Sequence, residues 1–270
     1  MKINKEPLTN QEKYMKKHRH HHAQIAILRL LLFVLFLLLW EVSADRKWID
    51  SFFFSSPSRV VRQIIKLSLD HSIFLHVGIT LVETILSFLL VFLISLIVAT
   101  ALWYSTRLSE VLEPYLVILN SLPKSALAPL FIVWLGTGTK TIIVAGISVA
   151  LFGSIISFYT GFKQCDPEKV TLIYTLGGHR KEAFGKVVLP NSIPILISTT
   201  KVNIGLALVG VIIGEFLAAR RGLGYLIIYG SQVFQLDLVI TSILILCIIA
   251  MGLYKGIQMV EHHIRKQMKA

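Results

Sequence analysis

The sequence has little charge and almost no cysteine. Only 16% of its 270 residues are charged, whereas soluble domains average about 25%. Together with 54% hydrophobic residues and a mean hydropathy of +0.71, this composition excludes a cytosolic enzyme, a disordered regulator and a nucleic-acid-binding domain. The two cysteines, Cys165 and Cys247, provide neither a disulfide framework nor the spacing of a metal site.

Acidic residues are scarce as well. The 27 Lys and Arg outnumber the 15 Asp and Glu, which leaves a net charge of +12. In a chain this apolar, such an excess is typical of basic loops on the cytoplasmic side of a membrane, where Lys and Arg accumulate. Membrane lipid is therefore an expected partner, and nucleic acid is not.

Six stretches are apolar over the length of about 20 residues that a spanning helix needs. They lie at roughly 25–44, 76–104, 111–135, 141–162, 191–219 and 236–254. An even number of spans puts both termini on one side. With the termini inside, the inner segments carry sixteen Lys and Arg and the outer segments carry eight, which favours cytoplasmic termini. The sequence therefore predicts an all-α membrane protein with six transmembrane helices.

The first apolar stretch has an alternative interpretation as a cleaved signal peptide, because Val42, Ser43 and Ala44 resemble a cleavage site. The basic region before it is longer than a signal peptide needs. Trp40 and Glu41 are also typical of an anchor at the membrane interface. These two features favour a helix that stays in the mature protein.

Two segments flank this first stretch. The tail before it contains a histidine-rich tract, His18–His22, for which a solvated basic tail is favoured over metal binding, because no carboxylate or cysteine partner adjoins it. The segment after it begins with Ser56 and Pro57, typical of an N-cap and a first helical turn, and continues with an amphipathic pattern. It predicts a short helix, either on the outer membrane surface or packed against the other helices.

The third stretch contains residues that are unusual inside a membrane span. Pro123 and Pro129 each free a backbone carbonyl and kink a helix, which is tolerated where protein or a water-filled path satisfies the backbone. Lys124 indicates either a lining residue of a transport pathway or a structural charge that snorkels or pairs with Glu83. The two prolines and the lysine are candidate pathway residues.

The fifth stretch is rich in glycine and carries one acidic residue. Gly210 and Gly214 form a GxxxG pair, which permits close approach of another helix and favours a packing role over substrate contact. Glu215, near the outer end, lies within reach of Arg220 or Arg221 and is the fourth candidate pathway residue.

The longest cytoplasmic loop, 163–190, is expected to be structured, because long loops without secondary structure are uncommon in compact proteins. Asp166 and Pro167 predict the start of a short helix, since they supply an N-cap and a first-turn proline. Gly177 and Gly178 are expected to end it, because glycine accepts the left-handed conformation found there.

A second short helix is predicted from about His179 to Val188, before Pro190 and Pro194 open the fifth membrane helix. The two short helices would form a helix-turn-helix below the membrane, with an apolar stripe that includes Phe184. An exposed stripe needs a partner, and a protein partner is favoured over folding back onto the membrane surface.

Several motifs occur in order at spacings that resemble one family. The stretch from Thr175 to Arg180, followed by Leu189 and Pro190, resembles the cytoplasmic signature loop of binding-protein-dependent ABC transporter permeases. Further runs resemble the nitrate/sulfonate/taurine-type subfamily: Pro123 to Leu130, Trp134 to Gly138, Gly214 to Leu217, and Arg221 to Tyr225. The family motif usually opens with Glu-Ala-Ala, where this chain has Thr171-Leu172-Ile173, so the role of that glutamate is not transferred.

The resemblance implies the type I ABC importer permease fold and a role as the transmembrane subunit of an ATP-driven importer in a bacterial plasma membrane. It implies three partners: a cytoplasmic ABC ATPase that receives the loop, an extracytoplasmic binding protein, and a second copy in a homodimer. The implied coupling residues are Thr171, Leu172, Ile173, Gly177, Gly178, Phe184, Leu189 and Pro190. The implied substrate is a small anion such as a sulfonate or nitrate, or a small organic nutrient.

The sequence contains no G-x-x-x-x-G-K-[ST] phosphate loop and no H-E-x-x-H motif. The chain is therefore not expected to be an enzyme, to have catalytic or metal-binding residues or to hold a cofactor, and ATP would be bound by the partner subunit. A secondary transporter that works without an ATPase is the alternative, although the two halves show no repeat. The predicted organisation is a cytoplasmic tail (1–24), a first helix with an external segment (25–75), a permease core (76–256) and a second cytoplasmic tail (257–270).

Overall fold

A computed structural model describes residues 10–267, and within that range all regular secondary structure is helical. The internal contacts divide the chain into a unit that ends at Arg62 and a unit that begins at Gln63. The first unit contains α1 (Asn10–Asp45), α2 (Ser51–Phe54) and the start of α3 (Pro57–Leu69).

The second unit holds the rest of α3 and, among the described residues, nine further α-helices. In chain order they are α4 (Ser72–Tyr104), α5 (Thr106–Ser121), α6 (Lys124–Leu135), α7 (Thr139–Lys163), α8 (Pro167–Thr175), α9 (Arg180–Ala183), α10 (Leu189–Ala218), α11 (Leu223–Gln232) and α12 (Leu236–Gln267). A π-helical segment, Phe184–Val188, joins α9 to α10. Sequence analysis gave no prediction for α11, and α12 continues as a helix through most of the predicted cytoplasmic tail.

The predicted start of α3 is confirmed. Its first residue is Pro57, and the Ser56 hydroxyl accepts the Arg59 N–H at 3.4 Å. The Glu41 carboxylate, at the end of α1, accepts the Ser58 N–H at 2.9 Å. Glu41 therefore caps the start of α3, a role beyond the predicted interfacial anchor.

The first helix begins well before its apolar part. The portion that could span a membrane is Ile27–Asp45, and the histidine tract lies in the same helix, ahead of that portion. Among the described side chains, no three His, Cys, Asp or Glu are placed to hold a metal ion. That the helix is retained in the mature protein stays a prediction.

α4, α7 and α10 form the centre of the second unit, and α7 packs against both of the others. Glycine allows the backbones to come close. A Cβ added to Gly210 would lie 2.7 Å from the Cα of Gly146, and one added to Gly214 would lie 2.9 Å from the Cα of Ile142. Neither distance leaves room for a side chain, so the predicted packing role of the glycine pair is confirmed.

Within the described part of the chain, five helical runs are long and apolar enough to cross a membrane. They are Ile27–Asp45, Ser72–Tyr104, Thr139–Lys163, Arg180–Ala218 and Leu236–Ile264. α5 and α6 satisfy the same criterion only as a pair, bent by 96° at the short break between them, and counting the pair as one span gives the predicted six.

The break between α5 and α6 corrects the expectation of a kinked helix over 111–135. Leu122 has an extended backbone (φ −62°, ψ 140°), as expected for a residue that precedes proline. Pro114 and Pro129 lie inside α5 and α6, which continue through them, so the sharp change of direction falls at Pro123 alone.

The second cytoplasmic helix and the fifth span form one continuous run, where sequence analysis predicted two separate helices. At the π segment the Leu189 N–H donates to the Phe184 carbonyl, five residues earlier. Pro190 has no N–H to donate, and its ring would clash with the carbonyl four residues before it. The wider π turn accommodates the proline without ending the helix.

Candidate functional site

The cytoplasmic segment between α7 and α10 begins with a capped helix, as predicted. The Asp166 carboxylate accepts the Glu168 N–H at 2.9 Å, and Pro167 lies in the first turn, where its missing N–H costs no hydrogen bond. The neighbouring Cys165 is buried in the hydrophobic core, and this burial raises the pKa of its thiol.

α8 ends in a turn that requires glycine. The Gly178 N–H donates to the Ile173 carbonyl at 2.9 Å and the Gly177 N–H donates to the Tyr174 carbonyl at 3.0 Å, which is the Schellman pattern. Gly177 has a φ of +80°, and a Cβ on Gly178 would lie 2.6 Å from a methyl carbon of Ile173. The geometry of the turn thus explains why glycine occupies both positions, 177 and 178, of the signature loop.

Two leucines lie one turn apart on the exposed side of α8 and its C-cap, Leu172 and Leu176. Leu172, Tyr174 and Leu176 are 56%, 44% and 75% exposed. Val170 lies on the side of α8 opposite Leu172 and packs against the buried core, and Ile173 is half-buried at the turn. Tyr174 is one turn after Val170 and so lies at the edge of this inward side.

Aromatic contacts anchor the second half of the segment. The Phe184 ring centroid lies 5.2 Å from that of Phe162 in α7, and 5.1 and 5.6 Å from those of Trp103 and Tyr104 at the end of α4. Leu189 packs against the same core. The π segment is thus held by two membrane helices in addition to its continuity with α10.

The predicted coupling residues occupy three places along the segment. Thr171 and Leu172 are exposed on α8; Ile173, Gly177 and Gly178 form the turn; and Phe184, Leu189 and Pro190 lie where the chain enters α10. The first group is available to a partner, and the last group connects the segment to the membrane helices. Their roles in coupling stay predictions.

Glu215 is the centre of a buried hydrogen-bonded cluster at the outer end of α10. Its side chain is 1% exposed, and its carboxylate accepts the Thr80 hydroxyl at 2.6 Å and the Gly224 N–H at 2.5 Å. The Thr80 oxygen in turn accepts the Leu223 N–H at 2.9 Å. The cluster joins α10, α4 and the start of α11.

The loop between α10 and α11 is shaped around that carboxylate. A Cβ on Gly222 would lie 2.4 Å from the Glu215 carboxyl carbon, and one on Gly224 would lie 2.8 Å from the Glu215 Cβ. The Gly222 N–H donates to Nδ1 of His76 at 2.9 Å, and the His76 ring stacks on Tyr225. One packing arrangement therefore accounts for the glutamate and the two glycines at this spacing in the chain.

The four candidate pathway residues do not form one hydrogen-bonded cluster. Lys124 is the first residue of α6, and its ammonium donates to the Asn120 carbonyl of α5. Pro123 lies just before it, and Pro129 lies inside the same helix. Glu215 instead bonds to α4 and α11, so a shared role in lining a pathway stays a prediction for these residues.

Glu83 is a second buried carboxyl group of α4, which sequence analysis considered only as a partner for Lys124. It is 2% exposed and lies close enough to Glu215 to interact with it. With Arg220 and Arg221 it lines a cavity of about 350 Å³. The arginines predicted to pair with Glu215 therefore border this cavity, while Glu215 takes its hydrogen bonds from Thr80 and Gly224.

Thr80 and His76 are site residues that sequence analysis missed. They are four residues apart on α4 and so share one helix face. Thr84 and Ser87, which continue that face, are also buried. The sequence does contain a signal for these residues, namely a polar stripe at helical spacing inside an apolar span. Such a stripe must face protein and not lipid.

The fold and the sequence motifs described above agree with the family to which the chain's relatives belong. The chain belongs to the family described as binding-protein-dependent transport system inner membrane component, which it matches over residues 91–259. The matched region contains the cytoplasmic segment. It also contains α10 and α11, which contribute Glu215 and Gly224 to the outer cluster. The protein is thus a multi-pass inner-membrane permease component of ABC transport, a class of transporters and not of enzymes.

Individual relatives support the predicted subfamily. A probable ABC transporter permease protein of Haemophilus influenzae is 32% identical, covering 88% of this chain and 97% of its own length. The formylaminopyrimidine transport permease protein ThiX of Halalkalibacterium halodurans is 27% identical, covering 72% and 77%. The taurine transport system permease protein TauC of Escherichia coli is 23% identical, covering 84% and 85%.

The fold is also that of a solved importer. A chain of the MetNI methionine ABC transporter, in an inward-facing conformation, superposes with a TM-score of 0.60 at 20% identity, covering 70% of this chain and 93% of its own. The predicted type I importer permease fold is therefore confirmed.

Proposed function

We propose that this chain forms the substrate pathway of an ATP-driven importer and that α8 docks on a separate cytoplasmic ATPase. The observation that carries the proposal is the pair of exposed leucines, Leu172 and Leu176, one turn apart on α8 and its C-cap, in a segment that the basic residues assign to the cytoplasm. An exposed apolar surface of this kind needs a partner. The sequence has no phosphate loop, so the energy must come from another subunit.

The connection from α8 to the membrane supports this role. The Schellman turn fixes the direction in which the chain leaves α8, and the π segment continues without a break into α10. A push on α8 would therefore reach a 30-residue membrane helix through one short turn, residues 176–179, and a continuous helical run.

The docking claim is tested by purifying the tagged permease from native membranes in mild detergent and measuring the ATPase that accompanies it. We expect Leu172→Glu to remove most of the bound ATPase, because a charge on the apolar surface would have to be desolvated in the interface. The matched control is Lys169→Gln on the same exposed helix, which leaves the apolar surface intact. Full retention of the ATPase by Leu172→Glu would contradict the proposal.

The proposed substrate is a small anion such as a sulfonate or nitrate, or a small organic nutrient, delivered by an extracytoplasmic binding protein to a homodimer of this chain. The support is the similarity to permeases named for taurine and formylaminopyrimidine transport. Identifying the ligand of the co-purified binding protein by mass spectrometry tests the substrate class. Uptake that continues without the ATPase would instead favour a secondary transporter.

A further inference from the structure

Arg180, the first residue of α9, reaches across to the end of α4. Its guanidinium donates a hydrogen bond to the carbonyl of Trp103 at 3.2 Å. The same guanidinium lies 5.5 Å from the centroid of the Trp103 ring and 6.0 Å from that of Tyr104. One cytoplasmic side chain thus contacts the last two residues of a membrane helix 77 positions earlier in the chain.

The end of α4 is a site that favours a cation. The last four carbonyls of an α-helix have no partner within the helix, and they give its C-terminus a partial negative charge. The carbonyls of Ala101 and Leu102 accept the N–H of Ser105, whereas the Trp103 carbonyl is taken by Arg180. The planar guanidinium can bond to a carbonyl and cover aromatic rings at the same time, which an ammonium does less well.

The position of Arg180 is fixed by its own segment. The preceding residue, His179, donates its N–H to the Glu182 carboxylate at 3.0 Å, which caps the start of α9. Phe184, one turn later, packs on the rings of Trp103 and Tyr104. Arg180 and Phe184 therefore hold the same two residues, the first from the exposed side and the second from the core.

We propose that Arg180 is a positioning residue that makes α4 move together with α10 when the ATPase displaces the cytoplasmic segment. This inference rests on the proposed docking of α8. The segment reaches α10 through covalent continuity, but it reaches α4 only through side chains, and Arg180 supplies the polar part of that contact. α4 also carries Thr80, whose hydroxyl donates to Glu215. A movement that Arg180 transmits to the inner end of α4 would therefore also reach the outer cluster.

The test uses the full complex of permease and ATPase in lipid bilayers, with one spin label at a time. A label on Ala101→Cys reports on the inner end of α4, and a label on Asn191→Cys reports on the start of α10; both sites are exposed. Cys247 is replaced by Ala, because it is exposed, and the buried Cys165 stays. The measured quantity is the change in label mobility when Mg-ATP and vanadate are added.

We expect Arg180→Gln to reduce the ATP-dependent change at position 101 about threefold or more, since both the charged hydrogen bond and the ring contacts are lost. The change at position 191 should stay within error of the unsubstituted protein. The matched control is Lys181→Gln, the neighbouring exposed cation of the same helix, which should alter neither label.

Each other outcome is informative. A full response at position 101 in Arg180→Gln overturns the proposal, and so does an equal loss at both positions with the ATPase still bound. If the glutamine variant fails to insert, Arg180→Lys gives the same test with a smaller expected loss of about twofold, because it keeps the charge but not the planar fork. Absence of any response in the unsubstituted complex would instead remove the proposed coupling on which this inference depends.

Discussion

α10 is tied to α4 at both of its ends, and the two ties are built from different chemistry. At the outer end, the tie consists of buried hydrogen bonds from Thr80 and the α11 backbone to the Glu215 carboxylate. At the inner end, Phe184 and the exposed Arg180 hold the aromatic end of α4.

The difference predicts that the two ends of the helix have different roles, the outer end in stability and the inner end in transport. A buried donor or acceptor that loses its partner costs about 1–3 kcal/mol, so the outer tie holds one geometry. The exposed cation–π contacts of Arg180 contribute about 0.5–1 kcal/mol each, so the polar part of the inner tie is weaker. We therefore expect substitutions at the outer tie to reduce stability, and substitutions at the inner segment to reduce transport while the protein stays folded.

The largest functional effect is expected for Gly177→Val. Its φ of +80° is a conformation that a β-branched residue does not adopt without strain, so the turn that orients α8 would change. ATP-dependent uptake in proteoliposomes should be abolished, while the amount of inserted protein stays normal. Gly185→Ala is the matched control, because no atom lies within 4 Å of the added Cβ. Normal uptake by Gly177→Val would remove the turn from the mechanism.

The largest effect on stability is expected for Gly222→Ala. The added methyl would lie 2.4 Å from the Glu215 carboxyl carbon, and the φ of +115° is itself unfavourable for alanine. We expect a loss of about 3 kcal/mol in the free energy of unfolding, measured by thermal unfolding in detergent. Gly78→Ala, in open space on α4, should cause no such loss. An unchanged midpoint for Gly222→Ala would show that the outer loop is not tightly packed.

A smaller loss is expected for Thr80→Ala. The substitution removes the donor to Glu215 and the acceptor for the Leu223 N–H, and it leaves both groups buried. The expected cost is about 1–3 kcal/mol in the same unfolding measurement. Thr80→Ser keeps the hydroxyl and should lose much less. Equal losses for the two variants would indicate that packing of the threonine methyl, and not hydrogen bonding, is what matters.

The smallest effect is expected for Lys201→Met. Lys201 in α10 pairs with Glu261 in α12. The two side chains are partly exposed and line a cavity of about 890 Å³. Lys255 and Lys266 line this cavity as well. Because Glu261 borders this cavity together with two other lysines, it keeps cations and solvent nearby when Lys201 is lost, so we expect a loss of about 1 kcal/mol or less in the free energy of unfolding. A large loss would mean that the inner end of α10 is held as firmly as the outer end.

Features that depend on neighbouring residues in the chain were predictable. Asp166, Pro167 and Gly177 act within one helical turn of their own position, so their cap, first turn and C-terminal turn were expected at the right places. The packing role of Gly210 followed from its spacing with Gly214. The break at Pro123 was foreseen only as a kink, because sequence does not state how far neighbouring helices allow a chain to bend.

Features that depend on distant residues were not predictable in the same way. Glu215 was expected to pair with an arginine close in sequence, but it bonds to Thr80, which is 135 positions away. Arg180 was recognised only as part of the signature stretch, and its contact with Trp103 was not predicted, because the two residues are 77 positions apart. The separate second cytoplasmic helix was predicted from Pro190, and the π turn that accommodates this proline depends on core contacts of the surrounding segment.

By itself the sequence determined that this protein is a multi-pass helical membrane protein with a capped cytoplasmic segment. Apolar length, basic loops, caps and glycines each act locally or through composition, so they can be recognised without knowing what packs on what. Only the tertiary structure decided which polar groups meet at the two ends of α10. Inside a bundle of apolar helices a polar side chain has several geometrically possible partners, and the close packing of α4, α7 and α10 selects one of them.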